Sequence, residues 1–424
     1  MTGVGAPPAG MRIEPGLQAP NGAAAATRTV ASRARPVRVA QIVTKLTAGA
    51  GGITLRGAAA LDPTEYRTTI LTAAESSLIG PAEAAGLEVI PLRHMARGRG
   101  LYPSTDTRGI RELIDHLRAG GFDIVHTHSA KAGAIGRLAA RRAGVQAVVH
   151  SFHGFPFHQF QPAVIRRSLL TAERGLSRIT DYFLADGTMI AAEAVRLRLA
   201  APETIRAIAS PVDDGIAPAT PATRRHARRL LGLPDHATVV GTAARLSRQK
   251  SPIDMVRALA RLGRGDVTVV WIGDGELHSR TEREIRRYGL ERRFLLLGER
   301  SDVPELLPAF DVFALSSLYE GLPCALVEAM TCGIPVVATA VNSVPEIVIA
   351  GRTGLLTRPA DPSSMAHALR FVLDHPAAAA EMAAAARSHI GAGFRPEVHA
   401  RDLVVAYESA LELAARRRHV VGEP

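Results

Sequence analysis

At 424 residues the chain is too long for one ordinary core, so two domains are expected. Its composition, 47% hydrophobic and 4% aromatic, is that of a globular protein, and no uninterrupted apolar run approaches the ~20 residues that span a bilayer. Two cysteines exclude a disulfide framework and the N-terminus lacks the charged-then-apolar order of a secretory signal, so a cytosolic protein is expected. The net charge of +11 is uneven: residues 1–212 hold 25 basic and 15 acidic side chains, and the remainder is nearly balanced. A basic half suits solubility, anionic substrates or an anionic membrane face. No helix–turn–helix, zinc finger or aromatic RNA platform accompanies the charge, so nucleic acid is not expected.

Residues 1–35, rich in Ala, Gly, Pro and Arg without periodicity, are expected to be a disordered lead-in. Order begins at Val37, where VRVAQIV has the continuous apolar character of a buried parallel strand. Thr47-Ala48-Gly49-Ala50-Gly51-Gly52 then forms a glycine-rich turn into a short helix over 53–61, which allows close backbone approach to a phosphate or sugar. A dinucleotide fingerprint would need a third glycine where Thr54 stands, and Glu75, beyond a strand at 67–72, is a loose match for its ribose-binding acid. A nicotinamide enzyme is therefore set aside. Strands at 87–92, 124–128, 147–151, 182–185 and 204–208 alternate with helices at 107–120, 132–143 and 163–180 and one more before the last strand. Such alternation predicts a parallel sheet covered on both faces, with ligands at the carboxyl ends of its strands. Gly51–Gly52, residues 126–131 and His153–Gly154 all fall at such ends.

The second half repeats the plan. A strand at 238–242 leads into a loop carrying Arg245 and Lys250, then a helix at 253–262, a strand at 267–272 and the turn Gly273-Asp274-Gly275-Glu276. A helix at 277–288, a strand at 293–297 and a short helix at 303–308 lead to a strand at 311–315. The stretch SSLYEGLPCALVEAMTCGIPVVAT, residues 316–339, then reads as a turn with Glu320, Gly321 and Pro323, a helix from Cys324 to Met330, and a strand. Helices at 362–373 and 377–390 follow. An amphipathic helix at 396–416 has no strand after it and is expected to pack back toward the first domain. The expected boundaries are 36–212, 213–392 and a final segment 393–424.

Backbone N–H groups at a helix start hold anions, and Glu320 and Glu328 accept hydrogen bonds from hydroxyls. Phosphate beside sugar hydroxyls is the chemistry of a nucleotide sugar. Arg245 and Lys250, at the same strand end as Glu320, suit a diphosphate and its departure as a leaving group; two solvated loop charges are the plain alternative. Glu328, about one helical turn beyond Cys324, suits a ribose diol or a surface base. Cys324 offers its backbone N–H; no histidine lies near it in the sequence, so a cysteine nucleophile is rejected. His126 and His128, two apart on a strand, are expected on opposite sides with no further metal shell, and no Asp-x-Asp occurs, so no metal is expected. His153, in a loop with Gly154, suits a donor-sugar hydroxyl or loop structure alone. Arg166, Arg167, Arg174 and Arg178 share a helix with Ile165, Leu169, Leu170 and Leu176; with Arg93, Arg97 and Arg99 they suit an anionic membrane or a solvated face equally.

Assembled, residues 37–416 resemble a family-4 retaining glycosyltransferase of the GT-B type. Glu320 and Glu328 match that family's Glu-x7-Glu signature, and Arg245, Leu246 and Lys250 match its Arg-Leu-x4-Lys loop. GDGE at 273–276 and VPEIV with GRTGLL within 344–356 match as well, while HTHSAKAGAIGRLAARRAGV and HSFHGFPF resemble bacterial members that build surface polysaccharides on lipid carriers. The resemblance implies an α/β protein of two Rossmann-like domains, an acceptor-side one at 36–212 and a donor-side one at 213–392. Their parallel sheets face a cleft, and the C-terminal helix crosses back. It implies that Glu328 holds ribose, Glu320 the sugar, and Arg245 with Lys250 the pyrophosphate. Backbone around Gly321, Leu322, Pro323 and Cys324 would line sugar and phosphate, with Gly51, Gly52 and His153 approaching from the other domain. Glu320 and His153 would stand nearest the chemistry, which needs no metal and no cofactor beyond the nucleoside-diphosphate sugar.

The expected activity is transfer of a hexose or N-acetylhexosamine, with retention, to a lipid-linked or other glycan acceptor in cell-envelope or exopolysaccharide biosynthesis. The expected location is the cytoplasm or the inner face of the plasma membrane. A nucleotide-sugar epimerase on the same scaffold and a noncatalytic, membrane-associated sugar-nucleotide binder are the alternatives. Three positions depart from the family's usual pattern: Ser210-Pro211-Val212-Asp213 for Asn-Gly-Val-Asp, Asn342-Ser343 for two glycines, and Asp186-Gly187 for Ser-Glu. They bear on loop shape and sugar preference.

Overall fold

The computed structural model describes residues 35–47, 49–95, 103–212 and 215–421. The expected lead-in, Ala48, Arg97, Arg99 and Asp213 lie outside the described residues, apart from Arg35 at the lead-in's end. The chain forms two compact units, Met1–Pro211 with Gly393–Pro424, and Val212–Ala392.

In the first unit, β1 (Val37–Ile42), α1 (Ala50–Ala59), β2 (Tyr66–Ala73), α2 (Ile79–Ala84), β3 (Glu88–Leu92), α3 (Pro103–Gly120) and β4 (Ile124–His128) come first in the chain. They are followed by α4 (Ala130–Ala143), β5 (Ala147–Phe152), α5 (Ala163–Ser177), β6 (Tyr182–Asp186), α6 (Thr188–Arg196) and β7 (Ile205–Ile208). The seven strands are parallel in the order β3-β2-β1-β4-β5-β6-β7, so the winding reverses between β1 and β4. β4 and β5 are buried along their whole length, so that His126, Thr127 and His128 of β4 and His150 and Ser151 of β5 lie inside the unit beside the apolar residues of the same strands.

Helix α1 begins three residues earlier than its sequence pattern indicates. Gly51 and Gly52 therefore lie in its first turn and not in the preceding loop, with Gly49 (φ 79°) as the cap. A Cβ on Gly51 would stand 2.9 Å from the Leu46 backbone, so that glycine is required by the protein's own loop. Over Gly52 the nearest group a Cβ would meet is the Arg56 guanidinium, at 3.2 Å.

In the second unit, α7 (Pro221–Leu230), β8 (Thr238–Ala243), α8 (Pro252–Arg261), β9 (Val267–Ile272), α9 (His278–Arg287), β10 (Phe294–Leu296), α10 (Val303–Leu306) and β11 (Val312–Leu315) come first. Then come α11 (Cys324–Cys332), β12 (Val336–Thr339), α12 (Val344–Ile347), β13 (Leu355–Thr357), α13 (Pro362–Asp374) and α14 (Pro376–Ile390). The order is β10-β9-β8-β11-β12-β13, all parallel, so the reversal falls between β8 and β11. Trp271 is fully buried in this core and donates from Nε1 to the Ala244 carbonyl at 2.7 Å.

The last helix, α15 (Pro396–Val421), belongs to the first unit, where its Leu403, Ala406, Tyr407 and Ala410 join the core over β1, β4 and β5. Tyr66 donates to Glu408 of that helix at 2.6 Å. Among the described residues no helix is long and apolar enough to cross a membrane.

Candidate functional site

At the carboxyl ends of parallel strands, the crevice where the winding reverses is the usual place for a ligand. In the second unit that place lies between the loops after β8 and β11, and the two loops are joined there by side chains. Lys250 Nζ donates to Glu320 Oε1 at 2.5 Å, Ser317 Oγ donates to the same oxygen at 2.5 Å, and Gln249 Nε2 donates to Glu320 Oε2 at 3.2 Å. The Glu320 backbone N–H donates to Asn342 Oδ1 at 2.8 Å. The Glu320 side chain is 4% exposed and that of Lys250 16%, so the carboxylate is almost out of water and its charge is met within the protein. Bonds to backbone carbonyls hold both loops in place: Leu318 N–H donates to the Gln249 carbonyl at 2.7 Å, and Ser316 Oγ donates to the Lys250 carbonyl at 2.9 Å.

Arg245 is exposed on the loop after β8, its Nη2 3.5 Å from Gln249 Oε1. That loop is clamped by the turn at 273–276: Leu246 N–H donates to the Asp274 carbonyl at 3.0 Å, and Leu277 N–H to the Leu246 carbonyl at 2.8 Å. Gly273 has φ 127°, and a Cβ there would meet the Ala244 carbonyl oxygen at 2.3 Å, so the clamp depends on glycine. Gly321, Leu322 and Pro323 are buried and lead into α11, whose cap, Pro323, makes no side-chain capping bond. Cys324 and Glu328 are half-buried on its first two turns, and Gly333 (φ 78°) ends it. Glu320, Lys250, Gln249 and Ser317 are thus brought together.

Sequence reasoning missed Gln249, Ser317 and Asn342. Asn342 had a signal: it stands where glycine is usual, and at φ 44° it occupies the left-handed region that asparagine tolerates.

In the first unit, the corresponding crevice lies between the loops after β1 and β4, where Thr44 and Ser129 hydroxyls meet at 3.1 Å. His126 and His128 lie on one side of β4, their rings 4.1 Å apart, which corrects the expectation of opposite sides: residues two apart on a strand share a face. Thr127, between them, points the other way and meets His150 Nδ1 at 2.9 Å. His153 lies beyond β5 with its Nδ1 2.9 Å from Asp186 Oδ2 and its Nε2 2.9 Å from His128 Nδ1. Both ring nitrogens are thus engaged by the protein, and a sugar hydroxyl reaches one of them only by replacing a partner. Burial, followed by the charge of neighbouring histidines, holds His126 and His128 well below the usual histidine range; burial, followed by Arg137, does the same to His150. Among the described residues no group of three or more His, Cys, Asp or Glu is arranged to hold a metal ion.

Helix α5 carries the expected basic face. Val164 and Ile165 are 78% and 49% exposed there, while on its inner side Glu173 pairs with the fully buried Arg137 of α4 at 2.7 Å.

The family description "Glycosyl transferases group 1" matches residues 223–389, and "Glycosyl transferase 4-like domain" matches residues 48–211. An Escherichia coli relative, UDP-Gal:alpha-D-GlcNAc-diphosphoundecaprenol alpha-1,3-galactosyltransferase, is 32% identical over 275 residues, 63% of this chain and 71% of the relative. A D-inositol 3-phosphate glycosyltransferase from Stackebrandtia nassauensis is 30% identical over 381 residues, 83% of each chain. Among solved structures, HepE of Anabaena in complex with UDP-glucose superposes with a TM-score of 0.76 at 22% identity, covering 88% of this chain and 99% of that one. That likeness concerns the fold.

Proposed function

Because this chain belongs to the group 1 glycosyl transferases, we propose that its second unit holds a nucleoside-diphosphate hexose at the β8/β11 crevice and that the sugar is transferred with retention and without a metal ion. The observation that carries the reading is the buried Lys250–Glu320 pair, which joins the two loops at the point where the winding reverses. In the absence of donor, Lys250 neutralises Glu320. An ammonium has three N–H donors, so a diphosphate arriving at the crevice can share Lys250 and leave Glu320 an oxygen for a sugar hydroxyl. Arg245, exposed on the same loop, adds the second cation, and the two offset charge that grows on the departing diphosphate. Glu328 is assigned to the ribose hydroxyls, and the backbone of 321–324 to the sugar and phosphate oxygens.

UDP is the proposed nucleotide. The support is that the E. coli relative is named for UDP-Gal and the Anabaena protein binds UDP-glucose. A glycan or polyprenyl-linked acceptor is proposed on the same ground, the E. coli relative being named for a diphosphoundecaprenol acceptor. The first unit is assigned to the acceptor side, and Gly51, Gly52 and His153 within it to the donor sugar. The basic face of α5, with Val164 and Ile165 exposed beside Arg166 and Arg167, supports peripheral contact with an anionic inner membrane surface.

The test is a thermal-shift panel of nucleoside diphosphates, followed by transfer assays on Lys250→Ala and Glu320→Gln. UDP raises the melting temperature of the wild type by mass action. Each substitution lowers kcat/KM by about 100-fold, ~2.7 kcal/mol of transition-state stabilisation. Wild-type kcat/KM in a folded Lys250→Ala protein overturns the assignment.

A further inference from the structure

A row of hydrogen bonds runs inward from His153 to α15. Beyond the His153–His128 contact, His128 Nε2 meets Gln41 Oε1 at 3.1 Å, and Gln41 Nε2 donates to Tyr407 Oη at 3.3 Å. Tyr407 Oη then meets His126 Nδ1 at 2.9 Å, and His126 Nε2 meets Ser151 Oγ at 2.7 Å. Gln41, His126, His128 and Tyr407 are all 3% exposed or less, so water does not complete any of these bonds.

Two arrangements of protons satisfy every ring nitrogen, the amide and the Tyr407 hydroxyl together. His126 and His128 are each neutral, held so by burial, and carry one N–H. With the Gln41 amide oxygen toward His128, as found here, His128 carries its hydrogen on Nε2 and accepts at Nδ1. His153 must then donate from both nitrogens, to His128 and to Asp186, and is an imidazolium beside a carboxylate. Downstream, Gln41 donates to Tyr407, Tyr407 to His126 Nδ1, and His126 Nε2 to Ser151. With the amide reversed, every bond below Asp186 runs the other way: Ser151 donates to His126, His126 Nδ1 to Tyr407, Tyr407 to the amide oxygen, the amide to His128, and His128 Nδ1 to His153 Nε2. His153 then keeps only the hydrogen it gives Asp186. The second arrangement holds one proton fewer, released to solvent.

We propose that Gln41 and Tyr407 are positioning residues that tie the charge of His153 to a concerted change of tautomer at His128 and His126. His153 is faced by Asp186 from β6, His128 and His126 from β4, His150 from β5 and His399 from α15. Asp186 is the one acid among them, so a charged His153 depends on that carboxylate and on a row that can accept its second hydrogen. The switch stands on these bonds alone. Its consequence for transfer, a cation that comes and goes near an anionic donor, rests on the reading that places His153 beside the sugar.

The experiment is ring nitrogen NMR on the full chain with 15N-labelled histidine, from pH 8 to 5.5, alongside transfer assays with UDP-glucose at each pH. As His153 gains its second proton, His128 and His126 each move their single hydrogen from Nδ1 to Nε2 at the same midpoint. In Tyr407→Phe, which keeps the ring packed and removes the hydroxyl, His128 still follows His153 and His126 no longer does. His128 and His126 keeping one tautomer while His153 titrates overturns the proposal, as does a His126 that follows in Tyr407→Phe. A concerted switch with a transfer rate indifferent to its midpoint leaves the switch standing and overturns the donor-side reading of His153.

Discussion

Lowering the pH destabilises the first unit by an amount that follows from its buried histidines. His126, His128 and His150 are 3% exposed or less, and burial holds each well below the ordinary value of 6.5. A histidine kept neutral in the fold binds fewer protons than the same residue unfolded, so the unfolded state gains as the pH falls through the ordinary histidine range. For a group that stays neutral when folded, going from pH 7.5 to 5.5 costs about 1.4 kcal/mol. Three such groups cost about 4 kcal/mol, and His399, lowered for the same first reason, adds in the same direction. In a unit of this size, that corresponds to a drop in melting temperature of about 8–16 °C. Differential scanning calorimetry at the two pH values measures it, and the second unit, which contains none of these four residues, serves as the internal reference. A first-unit transition that moves by less than about 3 °C would refute the assignment of neutral, desolvated imidazoles. The carboxylates, which titrate mainly below this window, do not supply the effect.

Two further outcomes follow from single contacts. Asn342→Gly keeps a backbone suited to φ 44° and loses only the acceptor for the Glu320 N–H, so it costs about 1 kcal/mol in urea unfolding. Asn342→Ala also forces an alanine into the left-handed region and costs about 2 kcal/mol; equal costs would show that the left-handed backbone adds nothing, and no cost in Asn342→Gly would show that the side chain is not what holds the turn. Burial pushes the Cys332 thiol up to about 11, so at pH 8 it carries almost no thiolate. Iodoacetamide followed by mass spectrometry labels it in urea and not in the native protein, and rapid native labelling contradicts that burial.

Strand positions were legible in the sequence because both sheets are parallel and covered on both faces, which makes strands such as VTVVWI nearly continuously apolar. Helix α7 was not legible: PATRRHARRL has little apolar periodicity, and it is held by Arg224 and Arg228 on the Asp311 carboxylate and by its Thr220 cap. Strand β13, three residues long, and α12, four, are too short to show a period. Helix α1 was placed too late because its first turn carries two glycines, which local propensity assigns to a loop. At the site, the motif residues Glu320 and Lys250 could be named from spacing. Their direct pairing could not, since 69 residues lie between them and the contact depends on β8 and β11 being neighbours.

Two of the three departures from the family's usual pattern, at Asn342 and Asp186, touch motif residues. Asn342 replaces a glycine and keeps the backbone conformation a glycine would allow, while adding an oxygen that takes the Glu320 N–H. Asp186 stands where serine is usual and meets His153 Nδ1. A glycine has no side chain to fill the first role, and a serine hydroxyl would place no negative charge beside the imidazole. Each of these two departures therefore bears on a motif residue one contact away, leaving the residue itself unchanged but setting the hold on its turn in one case and the partner of its ring nitrogen in the other. Sequence comparison at Glu320 and His153 alone cannot reveal such differences. Comparison at positions 342 and 186 can, because the Glu320 N–H and His153 Nδ1 find their partners there.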